Sequence, residues 1–95
     1  LLAYNIVSKN VLYYLELSKN YGIVDLIAGG KMSNKSLVEL NIRAKYGVNI
    51  MAIKREGVTN VSPHGTDKIQ SGDIVYVIGA VVYINKLENA LFDNE

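Results

Sequence analysis

The stretch Lys35-Ser-Leu-Val-Glu-Leu-Asn-Ile-Arg-Ala-Lys-Tyr-Gly-Val-Asn-Ile-Met-Ala-Ile-Lys-Arg55 decides how this chain folds. It reads as a short capped helix, a glycine stop and a strand. Ser36 is a suitable N-cap, and Glu39, three residues on, completes a capping box by reaching back to the N–H of the cap. Gly47 stands where a left-handed residue ends a helix, with Arg43 and Lys45 in the last turn to suit the negative end of its dipole. The helix Ser36–Lys45 carries two apolar stripes, Leu37, Leu40 and Ala44 in one and Val38 with Ile42 in the other, about 100° away. In the strand, Val48, Ile50 and Ala52 point one way and Met51 and Ile53 the other, so only Asn49 interrupts an otherwise apolar pair of faces. A small domain has little interior to spare. The second stripe and the two-faced strand therefore predict a homodimer through this helix and strand.

Upstream, the apolar positions from Leu2 to Leu17 follow a helical period, with room for a break at Ser8-Lys-Asn10. The expectation is a connector helix over 1–20, ended by Asn20-Tyr-Gly22 and arriving from an N-terminal domain that the chain does not contain. The β-branched run Ile23-Val-Asp-Leu-Ile-Ala28 predicts a strand, and Gly29-Gly30 a turn. Downstream, Arg55-Glu-Gly57 is a tight connection to a second strand, Val58-Thr-Asn-Val-Ser62, which makes a hairpin. After the polar loop Pro63–Asp67, the run Ile74-Val-Tyr-Val-Ile78 predicts a strand stopped by Gly79. Val82 to Phe92 has helical spacing. The fold class is α+β: an N-terminal connector helix, then β-α-β-β-β-α, with helices packed on a small, mostly antiparallel sheet over residues 21–95.

Composition narrows the function. A net charge of +1 with no basic run provides no field for DNA or RNA, and no apolar run reaches the length of a membrane span, so neither nucleic-acid partners nor direct membrane insertion is expected. With no cysteine, disulfides and thiolate metal sites are excluded. The first residue is Leu1 rather than Met, which suggests a piece of a longer protein. Carboxylates are scattered over different elements, so no metal site is expected. Ser62 and His64 lack the base-and-orienter arrangement that nucleophilic catalysis needs, and no catalytic residue or enzymatic activity is expected.

Four residues have both a structural and a binding reading. Arg43 flanks the apolar surface of the helix and either stabilises the helix end or contacts an anion with its planar guanidinium. Asn49, the polar interruption, either satisfies a neighbouring backbone group or meets a polar ligand. Pro63 and His64 form a turn, and also offer flat surfaces for a planar base.

The runs Tyr21-Gly-Ile-Val-Asp-Leu-Ile-Ala, Lys35–Arg55 and Ile69-Gln-Ser-Gly-Asp-Ile-Val-Tyr-Val-Ile-Gly, in that order and spacing, resemble the C-terminal (TrkA-C) domain of RCK proteins. The earlier segment Ser8–Ser18 is similar to the joint between the two RCK domains in Ktr-type potassium-uptake subunits of Gram-positive bacteria, KtrA-like members above all. The resemblance implies a non-enzymatic, cytoplasmic regulator at the inner face of the membrane. An N-terminal domain, absent here, would bind ATP or ADP and build an octameric ring under a membrane potassium-transporter subunit. The C-terminal domain would dimerise and bind cyclic di-AMP between its two copies. Carried over by position, the ligand-binding residues are Asn41, Ile42, Arg43, Ala44, Val48, Asn49, Ile50, Pro63 and His64. The alternatives are a ligand-free dimerisation module, or a sensor of another anion or a cation, in an ion channel or transporter.

Overall fold

A computed structural model of the chain describes residues 9–92. In chain order it comprises β1 (Val11–Ser18), β2 (Tyr21–Ile27), one 3-10 turn (Gly30–Met32), β3 (Lys35–Ser36), α1 (Leu37–Leu40), α2 (Ile42–Tyr46), β4 (Asn49–Arg55), β5 (Val58–Val61), β6 (Lys68–Ile69), β7 (Ile74–Ala80) and α3 (Val81–Leu91). Five strands form one antiparallel sheet in the order β1-β2-β7-β4-β5, and β3 pairs with β6 in a second, two-stranded sheet. The α+β class holds. Its N-terminal part does not, because Val11–Ser18 is a strand and not a helix; Leu2–Val7 lie outside the described residues.

The reason for that miss is visible in the register of β1. Irregularities between Val11 and Tyr13 and between Glu16 and Ser18 insert residues into the ladder. The two side chains of β1 that pack on the core, Val11 and Tyr14, are consequently three apart, which imitates a helical period. Lys19–Asn20 is not a helix end but the turn of the β1–β2 hairpin, with Asn20 left-handed at φ 71°. Gly22 lies inside β2, where an added Cβ would come within 2.5 Å of the Tyr14 ring.

One face of the large sheet is covered. Val24, Leu26, Val75, Val77 and Ile53 meet Ile84, Leu87 and Leu91 of α3, together with Leu40, Ile42, Met32 and Ile69. The expected alternation in β4 is corrected here. A bulge between Ile50 and Ala52 makes Met51 an extra residue in the ladder. Ile50 (opposite Val77) and Ile53 (opposite Val75) then both face the core, while Ala52 (opposite Tyr76) joins the far face. Val48, just before the strand, is fully buried.

The far face is not covered by any described element. A row of Tyr13, Asp25, Tyr76, Ala52 and Val61 runs across it, beside a row of Leu15, Ile23 and Ile78. Tyr13 remains 59% exposed and Val61 70%. Burial pushes the Asp25 carboxyl above its ordinary range, opposed in part by the nearby Lys54 ammonium.

Two glycines behave differently from each other. Gly47 ends α2 in the left-handed region at φ 71°, as its position in the sequence predicts, and its N–H donates to the Arg43 carbonyl. Gly79 does not stop β7, which continues to Ala80. It permits close packing instead, since a Cβ there would approach Val48 Cγ1 to 2.7 Å. The β4–β5 hairpin closes through Glu56 and Gly57, both at positive φ, the pairing that suits the right-handed twist of its strands.

Candidate functional site

The helix expected over Ser36–Lys45 is two short helices, broken at Asn41, which takes the left-handed conformation (φ 49°, ψ 44°). The start of α1 matches the capping box: the Ser36 N–H donates to Glu39 Oε1 at 2.8 Å, and the Glu39 N–H to Ser36 Oγ at 3.0 Å. The Ser36 N–H holds the Glu39 carboxyl below its ordinary range. The break corrects the reading of two apolar stripes. Ile42, assigned to the second stripe, is a core residue, whereas Val38 is 67% exposed and Ala44 is exposed.

The loop after β5 docks on the start of α1. The Leu37 N–H donates to the Asp67 carbonyl (3.1 Å) and the Val38 N–H to the Gly65 carbonyl (2.9 Å). Asp67 organises the loop by accepting from the His64 N–H at 2.8 Å and from Asn60 Nδ2 at 3.1 Å. Those two donors, the His64 amide first, hold its carboxyl below the usual range. With Leu37, Val38 and Glu39 all donating within the domain, the first turn of α1 has no free N–H to offer an anion.

Between this loop, the α1–α2 break and the start of β4 lies an open cleft of about 420 Å3. Asn41, Ile42, Arg43, Val48, Asn49, Ile50 and Pro63 line it. The structure thus gathers the expected site residues except Ala44 and His64. Ala44 sits on the exposed side of α2, and His64 is exposed at the loop tip between two residues that do line the cleft. Leu37, Val38 and Gly65 also line it and were not anticipated. Gly65 carries the only legible signal, a glycine in a tight Pro-His-Gly-Thr-Asp turn; a Cβ there would collide with Val38 Cγ2. Arg43 is exposed and has no ion-pair partner among the described residues. The cleft therefore offers one uncommitted cation, the Asn41 and Asn49 amides and apolar surface from Val38, Ile50 and Pro63. That suits a ligand with an anionic group and a flat apolar part.

Two other hollows fit a ligand less well. The one of about 440 Å3 beside Arg55 and Lys68 has its arginine engaged with the buried Asp73 (Nη2 to Oδ2, 2.8 Å), and Asp67 is bound within its own loop. The one of about 480 Å3 around Ala52, Met51 and Tyr76 is a shallow part of the apolar sheet face.

Comparison with known proteins gives a consistent result. The sequence matches the TrkA-C domain over residues 22–91. It is 48% identical over 87 residues to the Ktr system potassium uptake protein C of Bacillus subtilis, an alignment covering 92% of this chain and 39% of that protein. The RCK C domain of the potassium transport protein KtrA, solved in complex with cyclic diadenosine monophosphate, superposes with a TM-score of 0.71. That match is 39% identical and covers 75% of this chain and 84% of the other. The RCK_C domain dimer of Streptococcus agalactiae BusR, also in complex with cyclic di-AMP, superposes with a TM-score of 0.63 at 26% identity, covering 74% and 92%. The chain spans about two fifths of the length of the curated Ktr relatives it matches. With that match running from β2 to the end of α3, the chain belongs to the TrkA-C domain family.

Proposed function

We propose that this domain is the ligand-sensing part of a regulatory subunit of a potassium transporter, and that it binds cyclic di-AMP between two copies of itself. The observation that carries this reading is the cleft at the α1–α2 break, which an unpaired Arg43 lines together with Val38, Ile50 and Pro63. A related domain 39% identical to this one has been solved with cyclic di-AMP. The ligand has a two-fold axis, two phosphates and two adenines. An isologous dimer presents each cleft twice, so one Arg43 per copy meets one phosphate, and Val38, Ile50 and Pro63 supply apolar surface for one base. The cleft volume, near the lower end of the range of small-molecule sites, suits half of such a ligand.

Because the ligand touches both copies, it favours one relative orientation of the pair by its differential affinity, with coupling of roughly 1–3 kcal/mol typical of such systems. In the longer protein this orientation is passed to a nucleotide-binding N-terminal domain that takes ATP or ADP. An octameric ring of such domains lies at the inner face of the membrane and modulates potassium uptake through the membrane subunit. A second reading, a dimerisation module with no ligand, is favoured by the uncovered apolar face of the sheet.

Titration calorimetry with cyclic di-AMP, ATP and calcium decides between them. Only the cyclic dinucleotide should bind, at one molecule per two chains. A charge-assisted hydrogen bond contributes roughly 1.5–3 kcal/mol, so Arg43→Ala should weaken binding about tenfold or more, with Arg43→Lys recovering part of the loss. Equal affinity in Arg43→Ala removes this residue from the site, and no binding of any of the three ligands leaves the dimerisation reading.

A further inference from the structure

Asn41 joins α1 to α2 with left-handed backbone angles, φ 49° and ψ 44°. Its N–H donates to the Leu37 carbonyl at 2.9 Å, which closes α1, and its carbonyl accepts from the Lys45 N–H at 2.9 Å, which opens α2. The side chain makes no capping hydrogen bond. Few residues other than glycine adopt this conformation readily, and asparagine is one of them. The consequence is a change of phase between the two helices. On one continuous helix Leu40 and Ile42 would lie about 160° apart, and Arg43 would fall within roughly 60° of Leu40. In this domain Leu40 and Ile42 are both buried, at 8% and 4% exposure, while Arg43 stands in the open at the cleft. No continuous helix satisfies all three placements.

We infer that Asn41 is a positioning residue for the ligand, acting through its left-handed backbone and not through its amide. The turn it makes seats Ile42 in the core as an anchor and swings Arg43 out to the cleft rim. This inference rests on the proposed reading of the cleft as a cyclic di-AMP site. An alanine at 41 favours the right-handed region, fuses α1 with α2 and rotates Arg43 toward the buried side. A glycine takes the left-handed conformation without strain and leaves Arg43 where it is.

The test uses Asn41→Gly, Asn41→Ala and Arg43→Ala singly, and Asn41→Ala with Arg43→Ala together, each titrated with cyclic di-AMP. Asn41→Ala should bind about tenfold more weakly than Asn41→Gly, which lacks the same amide; that is the scale of one lost charge-assisted contact. Adding Arg43→Ala to Asn41→Ala should then cost little more, because the arginine is already displaced. A merely destabilising substitution would not show that coupling. Equal losses for Asn41→Gly and Asn41→Ala would assign the effect to the amide and overturn the inference, as would full additivity with Arg43→Ala. If the parent chain does not bind cyclic di-AMP, the ligand reading fails separately. Backbone chemical shifts still decide the geometry: residue 41 keeping left-handed shifts in Asn41→Ala overturns the inference, and helical shifts running unbroken from 37 to 46 support it.

Discussion

Replacing Asp73 by asparagine removes a charge from the end of the sheet remote from the cleft. The Asp73 side chain is 2% exposed and that of its partner Arg55 is 49% exposed. The carboxylate accepts from Arg55 Nε at 2.8 Å, from Arg55 Nη2 at 2.8 Å and from the Gln70 N–H at 2.9 Å, which ties the end of β4 to the turn before β7. Arg55 Nη2 also reaches the Lys68 carbonyl, at 3.0 Å, and so draws in β6. Asparagine keeps the shape but turns a donor toward the guanidinium. Hydrogen bonds to charged groups contribute roughly 1.5–3 kcal/mol each, and water takes up much of the loss at the half-exposed arginine. A net cost of about 2 kcal/mol follows, which for a domain of this size lowers Tm by roughly 8–16 °C.

The acid dependence gives a second readout. The Arg55 guanidinium, aided by the Gln70 N–H and opposed by burial, holds the Asp73 carboxyl below its ordinary value. A carboxylate depressed in the folded state adds stability that is complete above its unfolded pKa of about 4 and is lost as pH falls through the lower, folded value. The parent should therefore lose stability below about pH 4, and Asp73→Asn should show a shallower loss. Asp67 and Glu39, also depressed, keep part of the slope in both proteins. Thermal unfolding followed by circular dichroism from pH 3 to pH 7 is sufficient. A variant melting within about 2 °C of the parent, with the same acid slope, would refute this account of the ion pair.

Ser36→Ala removes the acceptor for the Glu39 N–H and should lower stability by about 1 kcal/mol in denaturant titration. Gly47→Ala must hold a Cβ at φ 71° and 3.3 Å from the Tyr83 ring, for a cost of roughly 1–2 kcal/mol by the same assay; no loss would mean that α2 ends without a left-handed residue. Val38→Glu should fold normally, since Val38 is 67% exposed, and should halve the mass seen by light scattering if α1 lies in the dimer interface. An unchanged dimer in Val38→Glu moves the interface elsewhere. Ile42→Glu tests folding and not association, because Ile42 is 4% exposed.

The capping box at Ser36 and Glu39, the stop at Gly47, the hairpin around Glu56 and Gly57, the strand beginning at Ile74 and the last helix were legible because each depends on residues a few positions apart. The lining of the candidate cleft was partly legible for a related reason. Asn41, Ile42, Arg43, Val48, Asn49 and Ile50 are close in sequence, and the resemblance to RCK domains pointed to them and to Pro63. Gly65 and Val38 were missed because they meet only through a loop that folds back on α1, with the Val38 N–H on the Gly65 carbonyl. The helix expected around Val11–Leu17 failed because two register irregularities displaced the period by which a strand is recognised.

Local chemistry in the sequence determined caps, turns and the presence of apolar segments, since these are settled by a residue and its near neighbours. Tertiary structure alone decided which face each apolar residue would bury. The bulge at Met51 sends both Ile50 and Ile53 to the core, and the left-handed turn at Asn41 buries Leu40 and Ile42 together while leaving Arg43 outside. A single inserted or left-handed residue shifts the phase of everything after it. Whether the chain accepts that local cost depends on core contacts with Val75, Val77 and Ile84, which come from segments distant in sequence.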